Sequence, residues 1–142
     1  MKINIINEQE KIINEELIKH ITKYIIEKEF KDGDFELNIL ITKNERIKEY
    51  NENYRHKTGP TDVLSFEYGL NEQIIGDIVI STEQIEKQAP TFNNTFEEEF
   101  YYNIIHGILH ILGYDHETNE EDKKIMFEKQ DKYFKKLVER GE

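Results

Sequence analysis

The chain has no cysteine among its 142 residues, so neither disulfides nor thiolate metal ligands are available to it. A disulfide-stapled scaffold is excluded, and a reducing cytoplasm is the expected setting. Nor does any stretch approach the roughly 18 consecutive apolar residues of a membrane span. The chain opens on the strand-like Lys2-Ile3-Asn4-Ile5-Ile6 rather than on a secretory leader, so no membrane engagement is expected. Linkers, repeats and low-complexity segments are absent as well, and this length suits one domain. Residues 1–142 are expected to form a single unit with a real core, although 35% are charged and the mean hydropathy is −0.77.

Basic residues are scarce. Lys and Arg number 19 against 30 Asp and Glu, and the formal net charge of −11 repels a polyanion at long range. Their distribution is uneven. From Thr91 to Asp122 there are eight acids and no base, whereas Lys43 to Lys57 holds five basic residues against three acidic. Any contact with a polyanionic substrate is expected along that basic segment before Pro60, with Lys57 a candidate substrate-binding residue, and to be weak unless a partner positions the substrate. The acidic run Glu97-Glu98-Glu99 reads as a solvated first helical turn favourable to the helix dipole. Phe96, Phe100 and Tyr101 read as packing rather than as a stacking platform for bases.

Three of the five histidines fall in His106-Gly107-Ile108-Leu109-His110-Ile111-Leu112-Gly113-Tyr114-Asp115-His116. On a helix, His106 and His110 lie about 40° apart on one face and about 6 Å apart along the axis, close enough to share an ion. His116 would point away if the helix continued. Gly113 supplies the break, because glycine accepts the left-handed conformation at a helix C-terminus, and the chain can then return His116 as a third ligand. Neutral imidazoles suit zinc, and three protein ligands with an open fourth position mark catalytic rather than structural sites. Iron, nickel and cobalt would accept the same ligands. His20 and His56 have no such company, and His20 reads as a surface or boundary residue rather than a ligand.

The remaining pattern alternates. A strand over Lys2–Ile6 precedes a helix from about Glu8 to Phe30, with Ile13, Leu17, Ile21 and Tyr24 as its apolar stripe and Asp32-Gly33-Asp34 as its end. Phe35, Leu37, Ile39 and Ile41 alternate as in a half-buried strand. Thr42 with Glu45 predicts a capped helix to about Tyr54. Asp62–Tyr68 and Ile74–Ile80 read as two strands joined as a hairpin. Ser81 with Gln84, Thr95 with Glu98, and Thr118 with Glu121 then mark three helix starts, the second helix ending at Gly113 and the third near Arg140. Strands cluster early and helices late. The class is α+β, a small mixed sheet of about four strands with helices packed on it and the metal site at the end of a central helix.

The histidine skeleton resembles that of the metzincin peptidases, in which a glutamate follows the first histidine as general base. Here Gly107 stands in that place. The histidine run, together with Tyr54-Arg55, Pro60-Thr61-Asp62-Val63-Leu64-Ser65-Phe66 and Gly76-Asp77-Ile78, more closely resembles the YbeY family of bacterial endoribonucleases. The resemblance covers nearly the whole chain in order and length. Departures are Thr58-Gly59 before Pro60, Glu67 after Phe66, and Ile111, a volume-conserving change.

The resemblance implies one zinc ion per chain on His106, His110 and His116, and a functional arginine at Arg55. It also implies single-strand-preferring RNA cleavage in 16S rRNA 3′-end processing and ribosome maturation. Ribosomal RNA, and with it a ribosomal subunit or assembly proteins, would be the partners; DNA is not expected. Read without the resemblance, Arg55 is a surface cation at a helix end, though guanidinium can offset charge on a reacting phosphate. Asp62, Ser65 and Asp77 either shape the site or cap strand ends. Two other functions fit parts of the pattern: a metzincin-like metallopeptidase, and a ribosome assembly factor in which the metal only stabilises the fold.

Overall fold

A computed structural model describes residues 1–30 and 34–139. Within them the chain runs β1 (Lys2–Asn7), α1 (Glu15–Glu29), β2 (Glu36–Thr42), α2 (Asn44–Tyr54), β3 (Val63–Glu67), β4 (Ile74–Ser81), α3 (Thr82–Gln88), α4 (Phe96–Ile111) and α5 (Glu120–Phe134). A 3₁₀ turn over Ala89–Phe92 precedes α4, and a π-helical turn over Lys135–Glu139 follows α5. The sheet order is β1-β2-β4-β3, with β1, β2 and β4 parallel and β3 antiparallel to β4 as a hairpin. This is the α+β mixed four-stranded sheet that the sequence pattern implies.

Alternation along the strands builds two cores. Leu37, Ile39, Ile41, Ile78 and Ile80 face α1 and α4, where they meet Ile18, Ile21, Ile25, Ile104 and Ile108. On the opposite face, Val79 and Leu64 pack with Ile47 of α2. A bulge against Glu36 and Leu37 breaks the alternation of β4, so that Ile75 joins the larger core along with Ile78. Each fully buried isoleucine contributes roughly 2 kcal/mol through removal of apolar area from water.

Several boundaries differ from the sequence reading. The first helix starts at Glu15 rather than near Glu8, because Asn7 and Gln9 spend their side chains on the intervening turn while Asn14 caps Leu17. Its buried face is Ile18, Ile21, Thr22, Ile25 and Ile26, so Leu17 and Tyr24 sit at the flank. Thr42 does not cap α2. It ends β2 and donates its hydroxyl to Glu8 at 2.7 Å, while the Asn44 N–H finds Glu83 Oε1 at 2.9 Å. Asn119 rather than Thr118 caps α5, accepting from the Asp122 N–H at 2.8 Å. The expected breaks at Asp32-Gly33 and at Arg140 lie outside the described residues.

The element that matters most for the site is α4. It packs against β3, β4, α1, α3 and α5, and ten of its sixteen residues are buried. Thr95 and Glu98 form the expected reciprocal capping box at its start. At its end, Gly113 adopts φ 102°, its N–H donates to the His110 carbonyl at 3.0 Å, and the Tyr114 N–H donates to the Leu109 carbonyl at 3.0 Å. This pair of bonds is a Schellman motif, and it turns the chain back toward the helix it has just left.

Candidate metal centre

That reversal brings His116 to His106 and His110. The three imidazoles each offer a nitrogen within 4.8 Å of the others, all half-buried, and their ring centroids lie 4.9, 5.0 and 5.1 Å apart. His110 Nε2 and His116 Nδ1 are 3.1 Å apart. Two ring nitrogens facing each other so closely suit a shared proton or a shared cation. Phe127 of α5 packs against His106 and His116 with centroids 6.0 and 5.9 Å away, closing one side.

Electrostatics favour the neutral, ligating form. Burial pushes the His110 pKa down to about 4, helped by the neighbouring His106 and His116. Burial also lowers that of His106, against the opposing effect of the hydrogen bond its ring donates to Gln130 Oε1. An all-imidazole donor set, with His106 and His110 held toward the neutral form and all three rings converging within one cation's reach, fits zinc or a similar transition metal.

The histidines line a cleft of about 990 Å³ that also takes in Arg55, Lys57, Asp62, Ser65, Glu99 and Gln130. Arg55 caps the C-terminus of α2, is exposed, and has one guanidinium nitrogen 3.7 Å from Glu117 Oε1. His56 takes a positive φ of 57° just after it, so the chain turns and Lys57 joins the same wall. Asp62 and Ser65 also belong to this wall. Ser65 donates to the Gly107 carbonyl at 3.1 Å. Asp77 is outside the cleft and instead accepts from Asn38 and Tyr68. His20 is exposed on α1, away from the cluster.

Glu99 departs from its expected role. It is 4% exposed, and its carboxylate accepts from Gln88 and Asn94 at 2.9 Å and from Asn103 at 3.1 Å. Only Glu97 and Glu98 of the acidic run behave as a solvated turn. Glu99, Asn103, His106 and His110 fall four, three and four residues apart, one polar stripe down a helix that is largely apolar beyond its first turn. That stripe is legible in the sequence once the helical phase is set by the histidines. Gln130 carries no comparable local signal.

A family model described as endoribonuclease YbeY matches residues 4–138. The chain belongs to this family. The resemblance drawn from those motifs is thereby borne out, and membership sets the chain among RNA-cleaving hydrolases. It is 63% identical over 139 residues to the endoribonuclease YbeY of Petrotoga mobilis, covering 97% of this chain and 96% of that one. The counterpart in Thermotoga maritima is 41% identical over 122 residues, covering 86% of this chain and 79% of that one. Among solved structures, a solution structure of a Thermotoga maritima protein superposes with a TM-score of 0.70 at 38% identity, covering 97% of this chain and 90% of that chain. Among the described residues, no helix is long and apolar enough to cross a membrane.

Proposed function

We propose that this chain is a zinc-dependent endoribonuclease that cuts single-stranded RNA in the cleft around His106, His110 and His116. Its task in the cytoplasm is maturation of ribosomal RNA, including the 3′ end of 16S rRNA. The observation that carries the reading is the convergence of three imidazoles beside an arginine in one open cleft of a YbeY-family fold. A divalent ion held there would supply Lewis acidity toward a phosphoryl oxygen. Arg55 would bind the other phosphate oxygens through its forked donors, exchanging its contact with Glu117 for the substrate. Lys57 would hold a neighbouring phosphate along the same wall.

Gly107 speaks against peptide hydrolysis by the metzincin route. Besides lacking a base, that position abuts Ile78 and Ser65, so a glutamate there requires those side chains to give way. One observation favours a different second reading. The cleft's charged lining has five carboxylates (Asp62, Glu67, Glu99, Asp115, Glu117) against two cations, Arg55 and Lys57. That balance suits an assembly factor whose cation merely stabilises the fold, with RNA delivered by the ribosome.

Cleavage of single-stranded RNA by chelated protein, with and without one equivalent of zinc, decides between them. Nuclease action requires cleavage restored by zinc and lost in both His110→Ala and Arg55→Ala. Robust cutting by both variants overturns it. Absence of cleavage in every metal form, with a lower melting temperature after chelation, selects the assembly-factor reading.

A further inference from the structure

Gln130 reaches from α5 across to the middle of α4. It is 1% exposed, in a helix with few buried positions, and a buried amide is stable only when both of its ends find partners. Its Nε2 donates to the Tyr102 carbonyl at 3.2 Å, and its Oε1 lies 3.0 Å from His106 Nδ1. A backbone carbonyl can only accept. The amide therefore has one satisfied orientation, with its nitrogen toward Tyr102 and its oxygen toward the imidazole.

That orientation determines the proton on the ring. Because Oε1 is an acceptor, His106 Nδ1 must be the N–H, and the lone pair of the neutral ring is left on Nε2. The opposite tautomer would set two acceptors against each other at 3.0 Å and protonate the nitrogen meant for an ion.

We propose that Gln130 is a positioning residue that holds His106 as its Nδ1–H tautomer, so that α5 sets how tightly the three-histidine cluster binds a divalent cation. This rests on the reading that the cluster holds such an ion. Metal-ligating histidines commonly donate their second nitrogen to a fixed acceptor, and loss of that acceptor weakens metal binding by about 10- to 100-fold. Here the acceptor is an uncharged amide, itself braced against the helix that carries the ligand. Asparagine is too short for this span, and an apolar side chain cannot accept.

The test uses zinc titration against a chromophoric chelator, with ¹⁵N spectra of the His106 ring in chelated protein. Gln130→Met, of similar volume, should bind zinc about 10- to 100-fold more weakly and let His106 sample the Nε2–H form. Gln130→Glu keeps an acceptor facing Nδ1, and because the site is buried its second oxygen carries a proton that replaces the amide N–H toward the Tyr102 carbonyl, so this variant should retain both the tautomer and most of the affinity. Circular dichroism of each chelated variant checks that the helices persist. Unchanged affinity in Gln130→Met, equal losses in Met and Glu, or an Nε2–H ring in the wild type each overturn the proposal. Failure of the wild type to take up zinc overturns the cation-binding reading itself, whereas wild-type uptake with an unaffected Gln130→Met overturns only the role given to Gln130.

Discussion

The Ser65 hydroxyl donates to the Gly107 carbonyl at 3.1 Å, joining β3 to the turn of α4 that lies between His106 and His110. The approach depends on glycine. A Cβ at position 107 would lie 3.1 Å from Ile78 Cγ2 and 3.2 Å from Ser65 Oγ, tighter than ordinary packing allows. Gly107→Glu would force a carboxylate into this contact and should destabilise the protein by about 3 kcal/mol or more, with no gain of peptide hydrolysis. Urea unfolding and a peptide turnover assay measure both. A variant as stable as the wild type would show that the helix can lift off the sheet without cost.

The second prediction concerns metal removal. If free zinc exceeds its dissociation constant a thousandfold, binding to the folded state alone adds about 4 kcal/mol. Chelation should then lower the melting temperature by on the order of 10 °C. His116→Ala should erase this difference, and His20→Ala, at an exposed position on α1, should preserve it. Scanning calorimetry with and without chelator reports the shift. Equal shifts in both variants would separate the stabilisation from the cluster.

Arg55 is partly held by Glu117, 3.7 Å away and itself exposed. Exposed pairs of this kind contribute about 0.2–1 kcal/mol, so Glu117→Gln should tighten single-stranded RNA binding by no more than about fivefold at low salt. Binding should also become more salt-dependent as Arg55 is freed for phosphate. Fluorescence anisotropy across a salt series measures this. No change at any salt concentration would mean that Glu117 does not compete with RNA for the guanidinium.

Glu29 gives a pH-dependent prediction. Burial raises its carboxyl pKa, but donation from the Tyr114 hydroxyl at 2.6 Å, from Tyr133 and from Lys129 at 3.2 Å more than reverses this, leaving it below the ordinary 4.5. A lowered carboxyl pKa adds stability that is complete above the ordinary value and lost as pH falls through the folded one. Glu29→Gln should therefore cost about 1–3 kcal/mol at pH 7 and progressively less below pH 4. Urea titrations at pH 7 and pH 3.5 compare the two. An equal deficit at both would assign the loss to packing instead of ionisation. Because Tyr114 lies between Gly113 and His116, the same variant should also weaken zinc binding.

Features decided by short-range chemistry were legible in order. The Thr95 and Glu98 capping box, the break at Gly113 and the alternation of β2 each depend on residues a few positions apart. Features decided by competition between distant groups were not. Thr42 and Glu45 have the right spacing for a cap, yet Glu8 takes the Thr42 hydroxyl from 34 residues away. Glu99 reads as one more solvated acid until Gln88, Asn94 and Asn103 gather around it.

The sequence by itself determined that two imidazoles share a helical face and that a third can return to them, because helix pitch and a left-handed glycine are local properties of the backbone. Tertiary structure alone decided what surrounds those rings: Gln130 from α5, Arg55 from the end of α2, and Ser65 from β3. Their positions follow from how helices and sheet bury their apolar faces against one another, a condition on the whole chain that no short window of residues contains.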